Sequence, residues 1–157
     1  KYFRLCPQKE VRLKGAYYIK YASHETDEEG NITAVHCTYD PESFGGETPD
    51  GRKVKGTLHW VSADHSVTAE VRLYDRLFNV PNPSDEEGVS SFADNLNPES
   101  LTVLSNCRLD ESLKDSKVGD TFQFMRQGYF TVDSDSNADK LVFNRTVALK
   151  DSFVKKG

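Results

Sequence analysis

The feature that most constrains this chain is its period-two alternation. In VTAEVRLYDRLF (67–78), Val67, Ala69, Val71 and Leu73 fall on one side of an extended backbone and Arg72 on the other. KEVRLKG repeats the pattern, with Val11 and Leu13 opposite Arg12 and Lys14. AYYIKYASH, ITAVHCTY, KGTLHWVS (centred on Trp60), SLTVLSNCRL, TFQFMRQGYFTVD and LVFNRTVAL read as further strands. No stretch keeps a helical period for more than about two turns, and SSFADNLN predicts a single helical turn. The breaks carry turn chemistry: DEEGN (27–31), the Gly/Pro loop DPESFGGETPDG (40–51), ADHS, DESLKDSKVGD and DSDSNADK. Many short strands with such loops predict an all-β barrel or sandwich. The Pro-rich acidic break PNPSDEEG (81–88) divides the strands into two groups, and DPESF with NPESL hints at a repeat.

Composition narrows the class. The 157 residues suit one ordinary domain or two very small ones. Charged residues reach 29%, no apolar run is long enough to span a bilayer, and no secretory leader is visible. The chain opens without Met inside an alternating segment, KYFRLCPQKEVRL, as expected of a piece of a longer or processed chain. Cys6, Cys37 and Cys107 are odd in number and widely spaced, which predicts reduced thiols in a cytoplasmic protein. The triplets Asn31-Ile-Thr and Asn144-Arg-Thr are then chance glycosylation matches.

The net charge of −5 argues against tracking a long duplex, and no DNA partner is expected. Its distribution is uneven. Residues 1–20 carry six Lys/Arg against Glu10, residues 21–50 carry eight acids and no Lys/Arg, and GRKVKG follows at 51–56. Screening limits a surface charge to roughly 10 Å, so the local segregation matters. A solvated strand face explains such charges equally well.

Catalytic and metal signatures are absent. There is no GxSxG elbow, no HExxH, and no phosphate loop, since FGGETPDG lacks a following GK[ST] and helix. His36 and Cys37 are neighbours on a strand and face opposite ways, and His59 and His65 lack a third ligand. Asp64-His65 reads as a turn pair. A recognition surface remains: Arg4, Arg12, Arg72, Arg76 and Arg126 are interleaved with Tyr17, Tyr18, Tyr74 and Phe130. Arginine forks pair with base edges and aromatic rings stack on unpaired bases. FQFMRQGYF (122–130) adds a puzzle: Phe122 and Phe124 set a buried parity that Arg126 then occupies.

VRLKGAYYIKY, GRKVKGTLHWVSADH, EVRLYDRLFNVPNP, NPESL, FQFMRQGYFTVD and VFNRTVALKD, in this order, resemble the carboxy-terminal anticodon-binding region of glutaminyl-tRNA synthetase, from about residue 9 onward. Residues 1–8 align without gaps onto the preceding strand. The region of archaeal and eukaryotic glutamyl-tRNA synthetases shares the architecture and is the runner-up. The resemblance implies two small β-barrels, residues 1–82 forming the distal one and 83–157 the later strands of the proximal one. The second is incomplete because its first half lies upstream. Uncovered strand edges then imply self-association or a loosely ordered second half. The family's catalytic Rossmann domain is not in this sequence, so the chain itself carries no catalytic site, metal or cofactor. The parent is expected to be a monomeric, cytoplasmic ligase using ATP with Mg to attach glutamine to its tRNA, with no membrane role.

The resemblance also assigns residues. Arg12, in VRLKG, matches the arginine that reads the first anticodon base, and Arg4 the one that reads the third. Gln123 and Arg126 match two residues of the pocket for the central uracil. Met125 replaces an acidic residue of well-known bacterial members, and a further pocket arginine lies upstream. The anticodon sought is pyrimidine-U-G. Gln123 and Arg126 have opposite parity, so a shared pocket requires the strand to bulge or end near Met125, with Gly128 as the bend. Two other readings stay open: a protein-docking β module, and a ribosomal-protein-like barrel with general RNA affinity.

Overall fold

The structure is a computed structural model that describes residues 4–84 and 91–149. The chain is nearly all β, as its alternation predicts, and it divides into two units, residues 1–60 and 61–157. Both sheets are open, and no closed barrel forms among the described residues, in place of the two barrels expected.

The first unit holds β1 (Glu10–Leu13), β2 (Tyr18–Thr26), β3 (Ile32–Asp40) and the short β4 (Thr57–Leu58), in the order β3-β2-β1-β4. The β2–β3 hairpin closes on the DEEGN signal. The Asp27 carboxylate accepts the Glu29 and Asn31 N–H groups, and Gly30 takes a φ of +83°. Register places Glu10, Arg12, Tyr18, Lys20, Asp40 and Thr57 on one face, and Val11, Leu13, Ile19, Tyr39 and Leu58 on the other. After β3, the 3-10 segment Pro41–Gly46 folds back over the first face. Asp40 caps it, Pro41 opens it, and the wholly buried Ser43 accepts the Tyr18 N–H at 2.7 Å while donating to the Asp40 carbonyl at 2.6 Å. The Tyr18 hydroxyl donates to the Gly46 carbonyl at 2.7 Å, so this segment is tied down at both ends.

The second unit holds β5 (Ser66–Tyr74), β6 (Leu101–Asp110), β7 (Thr121–Phe124), β8 (Gly128–Val132) and β9 (Leu141–Val147), ordered β6-β5-β9-β8-β7. Its core is Ala69, Val71, Phe130, Val132 and Phe143 from the strands, with Leu113 supplied by a short 3-10 turn, Glu111–Leu113. Phe122 and Phe124 pack against it, with Phe124 stacked on Phe130 at 4.4 Å. Burying a ring such as Phe143 stabilises the fold by about 1.5–3 kcal/mol. SSFADNLN yields the expected short turn, Phe92–Asn95, opened by a capping box between Ser91 and Asp94.

The two units part between Trp60 and Val61, while the resemblance sets its barrel boundary near residue 82. β5 runs antiparallel to β6 and parallel to β9, so its apolar face completes the second core. Part of the PNPSDEEG break lies outside the described residues. Trp60 falls outside β4 and stands half exposed, its indole donating to the Lys14 carbonyl at 3.1 Å.

Candidate nucleic-acid interface

Arg12 sits at the centre of β1, and its surroundings fix its side chain. Its backbone N–H donates to the Gly56 carbonyl at 2.9 Å. Its Nε and Nη2 both donate to Thr57 Oγ1, at 3.2 and 3.1 Å, across the parallel β1–β4 pair. A Cβ on Gly46 would fall 2.8 Å from Arg12 Cδ and Nη1, so the guanidinium needs the missing side chain there as well as glycine's φ of +99°. The Nε and Nη2 edge of the fork is thus anchored on a hydroxyl, and Nη1 lies over Gly46. Such a fork suits two acceptors on a base edge. Arg4 is exposed in the irregular stretch before β1.

Gln123 and Arg126 lie in the second unit, at the β7–β8 hairpin. β7 ends at Phe124, and the chain turns through Met125, Arg126 and Gln127, whose N–H donates to the Phe124 carbonyl at 2.9 Å. Arg126 has a φ of +64° at the third position of this turn, where glycine or asparagine is usual. The ladder does not continue through Arg126, so the parity conflict between Gln123 and Arg126 disappears. Both side chains are exposed. Gly128 makes the bend: its φ is +140°, and a Cβ there would stand 2.4 Å from the Val147 carbonyl oxygen. Tyr129, paired with Gln123, is 40% exposed on the same face.

Other basic residues singled out by the alternation are engaged. Arg72 pairs with Glu70 at 2.8 Å, Asp135 at 2.7 Å and Asp133 at 3.5 Å, and Lys140 reaches Glu70 at 2.8 Å. Hydrogen bonds from Lys140 and then Arg72 hold the Glu70 carboxyl below its ordinary range. Arg72 is therefore a structural cation rather than a reader. Arg52, from GRKVKG, bridges Glu10, Asp50 and Asp40, and its guanidinium lies 5.5 Å from the Tyr18 ring centre. Hydrogen bonds from Thr48 and Arg52 hold Asp50 at about 2. This neutralises part of the acid run beside β1. Thr57 and Gly46 escaped the sequence reading because neither has a signal beyond its place in a strand or a loop.

The described residues thus form two β-sheet units, with a half-buried arginine at a strand centre in one and an exposed arginine at a hairpin tip in the other. The family model described as "tRNA synthetases class I (E and Q), anti-codon binding domain" matches residues 57–133, and a second of the same description matches residues 2–40. The chain belongs to this family of class I anticodon-binding domains. It is 53% identical over 154 residues to the glutamine–tRNA ligase of Proteus mirabilis, covering 98% of this chain and 27% of the relative. It is 55% identical over 156 residues to that of Vibrio parahaemolyticus and 56% over 158 residues to that of Photobacterium profundum, covering 27% and 28% of those relatives. The chain thus spans little more than a quarter of the length of these ligases.

Proposed function

We propose that this chain reads the anticodon for a glutamine–tRNA ligase, with Arg12 on the first base, Arg4 on the third, and Gln123 with Arg126 on the central uracil. The observation that carries the reading is Arg12, whose fork is fixed by Thr57 and Gly46 before any ligand arrives. A donor set in advance avoids the ordering cost of a long side chain on binding. The central uracil edge offers two carbonyl acceptors and one N–H donor. The Gln123 amide provides a donor and an acceptor, and Arg126 provides further donors. A wrong base leaves a buried polar group unpaired, at a cost of roughly 1–3 kcal/mol.

The activity belongs to the whole ligase: an ATP-dependent, Mg-assisted attachment of glutamine to its tRNA in the cytoplasm, with this region setting tRNA choice and carrying no catalytic group. The ligase acts as a monomer in this reading, and the strand edges of this region are where the isolated chain self-associates. Among the described residues no helix is long and apolar enough to cross a membrane.

The test is glutamine charging by the full-length enzyme. Arg12→Ala and Arg126→Ala are each expected to lower kcat/KM for tRNA by about ten- to a hundredfold while ATP binding is unchanged. Unchanged charging in both variants rejects the assignment.

A further inference from the structure

We propose that the rings of Tyr17, Tyr39 and Phe44 form a stacking site for a second unpaired nucleobase, one that adjoins the base read by Arg12. The proposal rests on that reading of Arg12. The Tyr17 ring centre lies 5.1 Å from Tyr39 and 5.2 Å from Phe44, at interplanar angles of 63° and 49°. Edge and tilted contacts of this kind leave ring faces uncovered, and Tyr39 is 62% and Phe44 68% exposed. A base laid on such a face gains roughly 1–3 kcal/mol from stacking.

The backbone links these rings to Arg12. Gly46 packs under the Arg12 guanidinium, and Phe44 is two residues earlier, so their Cα atoms are at most about 7 Å apart. Tyr17 precedes Tyr18, the cross-strand partner of Arg12. Ladder parity puts Tyr39 on the face opposite Arg12, so a nucleotide strand passing from one to the other crosses the end of the sheet at residues 45 and 46. The chain is bare at Gly45. Gly45, with a φ of +83°, is fixed by its N–H to the Ala16 carbonyl at 3.1 Å, and open space lies where its Cβ would stand. Gly45 thus leaves a gap beside the Arg12 side chain, which fills the space at the buried Gly46. Glu42 and Glu47 flank this gap and disfavour phosphate, so the site offers ring faces to a base rather than a grip on the RNA backbone.

The experiment uses the full-length enzyme and glutamine tRNA carrying 2-aminopurine at the loop position immediately before the first anticodon base, since the base after it is the central uracil assigned to Gln123 and Arg126. Fluorescence is read at saturating enzyme. The wild-type complex is expected to quench this probe. Tyr39→Leu and Phe44→Ala are each expected to restore its brightness several-fold and weaken tRNA binding roughly tenfold, whereas Tyr39→Phe keeps the quench. Both side chains are mostly exposed, so an unchanged melting temperature accompanies these effects. Equal brightness in the wild type and in both disrupting variants overturns the stacking site. Arg12→Ala separates the two claims: if it leaves first-base discrimination intact, the reading of Arg12 fails. If it abolishes discrimination while the probe ignores Tyr39 and Phe44, only the stacking site fails.

Discussion

At the scale of single residues, the two arginines proposed as readers are held in different ways. Arg12 is fixed by neighbours: a hydroxyl on one edge of its fork and a glycine beneath it. Arg126 is placed by its own backbone, in a left-handed conformation that costs a non-glycine residue of order 1–2 kcal/mol. Strain of this kind persists where a side chain is needed at that spot. We expect Arg126→Gly to fold at least as stably as the wild type, by up to about 1 kcal/mol in denaturant titration, while losing preference for a central uracil. A clear loss of stability in this variant would show that the side chain serves the fold. The arginine in FQFMRQGYF was legible as a breach of parity, and so was its remedy, a strand ending near Met125 with a bend at Gly128. What the sequence did not show was Thr57 beneath the Arg12 fork, because the parallel β1–β4 contact joins residues 45 positions apart.

At the scale of elements, alternation identified nearly every strand, and turn residues identified the hairpins. It did not identify strand partners. A period of two states which face a residue takes, not which strand lies alongside, so both parallel joins, β1 with β4 and β5 with β9, were invisible. KGTLHWVS was overestimated: only Thr57–Leu58 pair as a strand. The Arg52 cluster makes a prediction for the β1–β3 sheet. Hydrogen bonds to Arg52 depress Asp40, and those from Thr48 and Arg52 hold Asp50 at about 2. A folded-state pKa lowered in this way stabilises the fold above the unfolded aspartate value of about 3.9, and the contribution disappears as pH falls through the folded value. Relative to Arg52→Met, the wild type is therefore expected to be more stable above about pH 4, with the gap closing between about pH 4 and 2. Unfolding followed by the fluorescence of Trp60, the single tryptophan, measures it. A gap independent of pH would assign the effect of Arg52 to packing on Tyr18.

At the scale of the whole molecule, the all-β class was plain in the pattern, and the closed barrels were not found, because each sheet ends in strands without a further described partner in its order. The second unit ends at β6, where Leu101 and Val103 stand nearly half exposed beside Tyr74 on the face turned away from the core. An apolar edge of this kind invites pairing. The isolated chain is expected to self-associate with rising concentration in sedimentation velocity, and Val103→Lys to reduce this. A monomer at all concentrations, with or without the lysine, contradicts it. Above every scale stands the claim that these two sheets choose a tRNA by its anticodon. The most direct measurement is the affinity of the chain for anticodon stem-loops that differ only at the three anticodon bases. The account predicts tightest binding to pyrimidine-U-G, with roughly tenfold or greater loss for a purine at the first base or any change of the central uracil. Equal affinity for all stem-loops would contradict it and leave general RNA binding in its place.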